Sequence, residues 1–483
     1  MVIDALKYQI LQQFGFVPTE EQGQALDAFA RFLTDRDPDA VMILRGSAGT
    51  GKTSLSGAIV RTLKAIRQKV MLLAPTGRAA KVFSLNSGCP AYTIHRRIYR
   101  EKSFAGVDGQ FNLNDNLFTD TLFMVDEASM ISNLGLGGGN FGSGCLLDDL
   151  VRFVYQGHND RLMLIGDKAQ LPPVGEEESP ALNRMMLEGY GLKVYECDLN
   201  EVLRQSQESG ILYNATVIRQ MITHDDITQL PLIRFKGFAD IVMMPGNELV
   251  ESLANSYYRV GWDETMVITR SNKRANIYNN GIRNMVLDRE EELSCGDMLM
   301  IVKNNYFWTE KERNEAKEAL NAIPPFLANG DRAKVLRVSR HMELYGFRFA
   351  TLLLQFPDYD NYEMSVTALL DTLQSEAPAL THEQQEQLFH GVEEDYQDVP
   401  LKADRMKAIR GDQYFNALQV KYAYAITCHK AQGGQWEHVY VDQGYMTDDM
   451  LTPDYIHWLY TAFTRAKDKL FLVNWPKTQT EQA

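Results

Sequence analysis

Short, almost wholly apolar runs recur along the chain, and polar stretches separate them. Residues 41–44, 70–74, 121–125, 161–167 and 194–199 are each too short for a stable helix. Their near-continuous apolar character predicts strands covered on both faces, as in a parallel sheet. Between the first two runs, residues 54–66 place Leu55, Ile59, Leu63 and Ile66 at helical spacing. Residues 1–40 read as helical, with Thr19 as an N-cap, Gln22 at the capping-box position, and Ala25, Phe29 and Phe32 on one face. A second series begins near residue 205, with strands predicted at 266–269, 423–427, 439–441 and 470–473. Within it, residues 309–318 read as a charged helical insert. Asn329-Gly330-Asp331 is a hairpin-type turn signal before a strand at 333–338. From about 332 to 415 the pattern is short-stranded, with an acidic middle that holds no Lys or Arg from 376 to 398. Such a run reads as a solvated face. Strands alternating with helices, twice over, predict an α/β protein of two similar halves.

Composition narrows the class. A chain of 483 residues implies two to four domains. Its 45% hydrophobic and 23% charged content is that of an ordinary globular protein. No apolar run is long enough to span a bilayer, and Asp4 and several glutamines interrupt the N-terminal apolar positions, unlike a signal peptide. Five scattered cysteines without a C-x-x-C pair fit a reducing compartment and argue against a disulfide framework or zinc site. The net charge of −14 counts against nucleic-acid binding by a wholly basic surface and leaves room for a local basic groove.

The chemistry concentrates at strand ends. Gly46-Ser47-Ala48-Gly49-Thr50-Gly51-Lys52-Thr53 reads G-x-x-x-x-G-K-T between a strand and a helix. Backbone N–H groups of such a turn point at phosphate oxygens, the lysine reaches the β- and γ-phosphates, and the Thr53 hydroxyl ligates Mg²⁺. Asp126-Glu127 ends the third strand. There Asp126 holds the ion and Glu127 accepts the proton of an attacking water. Gln170 follows the fourth strand, within reach of a γ-phosphate. Thr76, Arg78 and Lys81 follow the second strand in a loop suited to a phosphate backbone, or to nothing more than solvated charge. Gln22 is readable as a cap or as an amide that meets adenine. Arg204 is readable as a salt-bridge former or as a γ-phosphate ligand. The excursion over 92–120 is too small for a domain, and residues 133–144 are glycine-rich.

In order, GSAGTGKT, LLAPTGRAA, TIHR, VDEASM, LIGDKAQLPPVG, NEVLRQ, NGD, AITCHKAQGGQW and YTAFTRAK resemble the motif set of superfamily 1B helicases, the RecD/Dda-like branch. They run from Gln22 to Lys467. The resemblance implies two RecA-like P-loop NTPase domains in tandem with small insertions, in the compact Dda-like form. The expected division is residues 1–200 for domain 1A with a 1B wedge element at about 92–120, 201–339 and 416–483 for domain 2A, and 340–415 for an SH3-like 2B module. It implies ATP and Mg²⁺ as ligands, with adenine on Gln22. Arg204 and Arg465 grip the γ-phosphate, and Gln432 and Gly433 couple nucleotide to strand. Thr76, His95, Thr427 and His429 contact single-stranded DNA. Leu203, Cys428 and Trp436 depart from the pattern. The implied activity is a monomeric, cytoplasmic, nucleoid-associated 5′→3′ DNA helicase acting at single-strand/duplex junctions. A DNA-stimulated ATPase that remodels protein–DNA complexes would carry the same motor motifs.

Overall fold

The first series of apolar runs forms one six-stranded sheet. Its strands lie in the order Ala91–Thr93, Lys69–Ala74, Thr121–Val125, Arg161–Gly166, Ala40–Gly46 and Lys193–Leu199, and every neighbouring pair is parallel. Side chains alternate across a strand, so one strand feeds two cores. Met42 and Leu44 pack with Phe29, Leu55 and Ile59, whereas Val41 and Ile43 pack with Phe123, Leu147 and Phe153. Both faces are therefore covered, which is why these strands lack alternation in sequence. This computed structural model describes residues 2–104, 109–135, 142–201, 208–224, 227–315, 323–324 and 326–481.

The N-terminal region is helical, over Val2–Phe14 and Glu20–Thr34. Thr19 and Gln22 form the capping box: the Thr19 hydroxyl accepts from Gln22 N at 3.3 Å, and Gln22 Oε1 accepts from Thr19 N at 3.0 Å. The helix after the glycine-rich turn runs Lys52–Ala65. The excursion after residue 92 is an antiparallel pair, Tyr99–Phe104 with Gly109–Leu113.

The second series forms a separate five-stranded sheet, Ala425–Thr427, Thr265–Thr269, Trp436–Asp442, Ala466–Val473 and Ile241–Met244, again all parallel. The edge strand Ile241–Met244 was not expected; four residues at an edge leave little pattern to read. Between these strands sits a closed five-stranded barrel of Met298–Ile301, Arg332–Leu344, Phe347–Phe356, Tyr362–Leu369 and Leu418–Tyr422. It is antiparallel except where Tyr362–Leu369 meets Leu418–Tyr422. The barrel therefore draws in strands on both sides of the 340–415 segment expected for an insertion. The turn at Asn329-Gly330-Asp331 is present, with Gly330 at φ +96°, but it does not close a tight hairpin. The strand after it pairs with Met298–Ile301, Arg332 lying opposite Met300 and Lys334 opposite Met298.

The acidic stretch differs from its expected form. Residues 382–410 fold into two helices, His382–Asp395 and Lys402–Arg410, the first opened by a Thr381/Gln384 capping box. Leu388, Phe389 and Val392 pack against Phe347, Phe349 and Leu369 of the barrel. One face is apolar and the acidic residues occupy the other, so the charge pattern hid an amphipathic helix. The charged insert begins as the helix Phe307–Glu315; residues 316–322 lie outside the described residues, as do 136–141 of the glycine-rich segment.

Candidate active site

The glycine-rich turn leaves the carboxyl end of Ala40–Gly46 and enters the helix at Lys52. Gly49 and Gly51 both take φ +77°, which a side chain resists, so glycine is required at these two positions. Thr50 Oγ1 donates to Ser47 O at 2.8 Å and braces the turn. Lys52 Nζ folds back to Gly46 O at 3.0 Å. Gln22 Nε2 donates to Thr50 O at 2.9 Å, so this buried amide ties the first helix to the turn. The structure gives Gln22 the capping role and a P-loop contact, and Gln22 does not line the cleft.

Opposite the turn, Asp126 and Glu127 end the strand Thr121–Val125. Burial and the neighbouring Glu127 push the Asp126 carboxyl up to about 6, against the pull of Lys52. Glu127 sits at φ +52° and ψ +37°, a left-handed backbone that costs a non-glycine residue about 1 kcal/mol. Its N–H donates to Asp126 Oδ1 at 2.9 Å. Asp167, 4% exposed, ends the next strand; burial raises its carboxyl above the usual carboxylate range. Gln170 lies three residues on. Glu127 Oε2 and Gln170 Oε1 are buried acceptors with no hydrogen-bond partner. Unpaired buried oxygens facing a cleft suit a ligand that brings donors, such as an ordered water or hydrated ion.

The far wall comes from the second sheet. The cleft holds about 270 Å³ between Ser47, Lys52, Thr53, Glu127 and Gln170 on one side and Leu212, Gln435, Thr464, Arg465 and Lys467 on the other. Arg465 is 3% exposed, and its guanidinium donates to Thr461 O at 3.0 Å, Gly434 O at 3.2 Å and Thr464 Oγ1 at 3.1 Å. Tyr460 OH donates to Asp167 Oδ2 at 2.6 Å and accepts from Ala48 N at 3.0 Å. Arg219 of the helix Gly210–Thr223 donates to the Ser47 hydroxyl. The loop after Asp167 is stitched to the helix Pro453–Phe463: Leu171 N donates to Thr461 Oγ1 at 2.8 Å, and Ala169 O lies 3.0 Å from His457 Nδ1. Ala169 and Leu171 are thereby buried in the core of the second half.

Several expected residues sit elsewhere. Gln432 and Gly433 do not line the cleft; Gln435 does. Gln432 Nε2 donates to Leu171 O at 2.7 Å, and Gly433 packs so tightly that a Cβ there would lie 3.0 Å from Ala79 Cβ and 3.2 Å from Thr76 Oγ1. Both belong to the contact between halves. Arg78 is turned into that contact too: it donates to Gln435 O at 3.0 Å and stacks 4.5 Å from the Trp436 ring centroid. Trp436, noted only as a motif variant, thus has a partner. Thr76 caps the helix Gly77–Ser87 through Ala79 N. Thr76 follows the second strand of the first sheet and His95 the edge strand beside it, while Thr427 ends the edge strand of the second sheet and His429 follows it. Burial pushes the His95 imidazole down to about 4, and lowers His429 as well. Arg204 lies outside the described residues.

Reading by residue missed Tyr460, Arg219 and Gln435. Tyr460 lies in an apolar helical stretch where any tyrosine reads as core. Asp167 carried a readable signal, a carboxylate at a strand tip like Asp126.

The donor set fits Mg²⁺ beside a triphosphate. Among the described residues there is no cluster of three or more His, Cys, Asp or Glu to cage an ion. Mg²⁺ characteristically takes one or two protein oxygens and completes its shell from phosphate and water, and Thr53 and Asp126 supply such oxygens.

Residues 19–220 match the family model of an AAA domain, and residues 422–473 match that of the UvrD-like helicase C-terminal domain. A stretch of 171 residues is 34% identical to an uncharacterized protein of Methanocaldococcus jannaschii, covering 33% of this chain and 14% of that protein. Another of 157 residues is 30% identical to the ATP-dependent RecD2 DNA helicase of Deinococcus radiodurans, covering 32% of this chain and 18% of the relative. Over 495 residues the chain is 21% identical to an uncharacterized protein of Acanthamoeba polyphaga mimivirus, covering 89% and 94%. Among solved structures, the Bacteroides Pif1 helicase in complex with ADP-AlF3 and ssDNA gives a TM-score of 0.46 at 14% identity, over 97% of this chain and 95% of that one. The matches span under a fifth of the archaeal and Deinococcus relatives.

Two parallel sheets with a P-loop cleft between them define the class: a tandem RecA-like P-loop protein with a small inserted barrel. Its matched segments are similar to an AAA domain and to the UvrD-like helicase C-terminal domain, and a further stretch is similar to the RecD2 DNA helicase of Deinococcus radiodurans. No helix among the described residues is long and apolar enough to cross a membrane.

Proposed function

We propose that this chain is an ATP-dependent DNA helicase that translocates 5′→3′ on single-stranded DNA and unwinds duplex. The observation that carries the reading is the composition of the cleft: Lys52, Glu127 and Gln170 face Arg465 and Lys467 across the boundary between two α/β halves. A site split in this way makes closure depend on the nucleotide, and closure is what a motor needs. Lys52 binds the β- and γ-phosphates, and Glu127 takes the proton of the attacking water. Gln170 orients that water. Arg465 turns from its present carbonyl partners to the γ-phosphate, and together with Arg204 it stabilises the charge of the transition state. Thr53 and Asp126 would hold Mg²⁺, which when bound neutralises charge on the phosphates. Gln22 braces the turn from the adenine side.

Breaking the γ-phosphate bond removes the link between halves, and the cleft opens. Thr76 and His95 on one half, Thr427 and His429 on the other, then alternate their grip on one strand. Gln432, Gly433 and Arg78 join the cleft to that grip, because they pack directly on the opposite half. Contacts to phosphate and stacked bases leave binding tolerant of sequence and sensitive to salt. On this reading residues 1–200 are the first motor domain with the 92–120 excursion as its small insertion. The second motor domain flanks the barrel, and the protein works as a cytoplasmic, nucleoid-associated monomer at single-strand/duplex junctions.

The test is displacement of a labelled strand from partial duplexes bearing a 5′ or a 3′ tail, with ATP. Displacement from the 5′-tailed duplex alone is expected. Displacement only from the 3′-tailed duplex would overturn the polarity, and none from either would favour a remodelling ATPase.

A further inference from the structure

The indole of Trp436 is shared by three parts of the molecule. Trp436 opens the middle strand of the second sheet and is 1% exposed. The Arg78 guanidinium carbon, from the first half, lies 4.5 Å from the ring centroid. That of Arg332, at the head of a barrel strand, lies 5.8 Å away. Both are within reach of a cation–π attraction, which strengthens when the cation is desolvated. Nε and Nη1 of Arg78 and Nε of Arg332 are buried and find no hydrogen-bond partner among the described residues, so the ring face is what offsets their burial. Burial and the nearby Arg78 push the Arg332 guanidinium down to about 10, from 12.5. The backbone around the ring holds Arg465. Trp436 N donates to Arg465 O at 2.9 Å, and Arg465 Nη1 donates to Gly434 O at 3.2 Å. Gln435, between them, lines the cleft and accepts from Arg78 Nη2 on its carbonyl at 3.0 Å. A Cβ on Gly434 would come within 2.6 Å of the indole Cη2 and 3.0 Å of Arg78 Nε, so this backbone cannot shift without the stack.

Resting on the shared nucleotide site proposed above, we infer that Trp436 is a positioning residue: stacked with Arg78 and Arg332, it fixes the backbone that holds Arg465. The stack ties Arg465 to the loop after the second strand of the first sheet on one side and to the barrel on the other. A shift of that loop on binding a DNA strand therefore reaches Arg465 through one closely packed ring. A tryptophan that only filled the core would act differently. Its loss would lower turnover to the same degree whether or not Arg465 were present.

Trp436→Phe keeps a ring with a weaker attraction for cations, and Trp436→Leu removes the ring. Strand-stimulated kcat should fall about threefold in the first and about tenfold in the second, with KM for ATP changed less than about twofold. Arg332→Met, from the barrel side, should lower kcat about threefold as well. The deciding arm repeats these substitutions in Arg465→Ala protein, read by single-turnover hydrolysis. There they should change the rate by less than about twofold, because the residue they act through is gone. An equal fall in both backgrounds, or an unchanged stimulated kcat in Trp436→Phe or Arg332→Met, would overturn the inference. If Trp436→Leu does not fold, Trp436→Phe carries the same comparison. Full turnover by Arg465→Ala alone would overturn the shared nucleotide site instead.

Discussion

Glu127 concentrates the chemistry of the cleft in one side chain. Its backbone is held left-handed, and one carboxylate oxygen is buried without a partner. Strain of this kind persists where the surroundings over-determine it, as at reacting centres. Glu127→Gln should leave nucleotide affinity near wild type and lower kcat by about 10²–10⁴-fold, the range for loss of a general base. Steady-state turnover beside equilibrium binding checks this; an unchanged kcat would remove Glu127 from the reaction. Lys52→Ala should abolish turnover in a folded protein, as judged by circular dichroism; normal turnover would overturn the P-loop assignment. The turn was legible because its chemistry needs eight consecutive residues. Tyr460 was not, because only the fold brings it 2.6 Å from Asp167. Gln432 and Gly433 were legible as belonging together; their place at the contact between halves depends on packing that spacing does not encode.

Among the elements, the parallel strands were the most readable. Both faces are buried, so their apolar runs are continuous, and length separates them from helices. The barrel was less so. Its strand Met298–Ile301 is four residues long and pairs across distant sequence. The helix His382–Asp395 was concealed by its own charge, although Leu388 and Val392 stand four residues apart on its buried face. That face rests on Phe349, which is 1% exposed and meets the Tyr414 ring edge-on at 5.2 Å between centroids. Phe349→Ala should cost about 3–5 kcal/mol by opening a cavity. Hydrogen exchange should speed up across residues 382–410 before the parallel sheets respond. Uniform acceleration through the whole chain would mean that barrel and motor halves unfold as one.

At the scale of the molecule, the barrel also touches the first half. Lys81 Nζ donates to Pro357 O at 3.0 Å and pairs with Asp358 at 3.6 Å. Tyr359 OH donates to Asp331 Oδ2 at 2.7 Å, and Asp331 lies so close to Gly77 that a Cβ there would come within 2.7 Å of it. Burial pushes the Asp331 carboxyl up to about 7, from 3.8. A folded-state value above the unfolded one means that the native protein holds this proton longer. The group therefore opposes stability increasingly as pH rises from about 4 to 7. Asp331→Asn should remove that dependence, gaining on wild type by about 2–4 kcal/mol between pH 5 and pH 8 in urea unfolding. A constant difference between the two proteins would show that Asp331 is ionised throughout.

The central claim is that one nucleotide is hydrolysed by residues of both halves. Single-strand-stimulated ATP turnover by Arg465→Ala, measured beside its ATP affinity, tests it most directly. The expected result is a kcat lower by on the order of 10³-fold, with affinity changed only a few-fold, as for loss of an arginine finger. Full strand-stimulated turnover by Arg465→Ala would contradict a shared site.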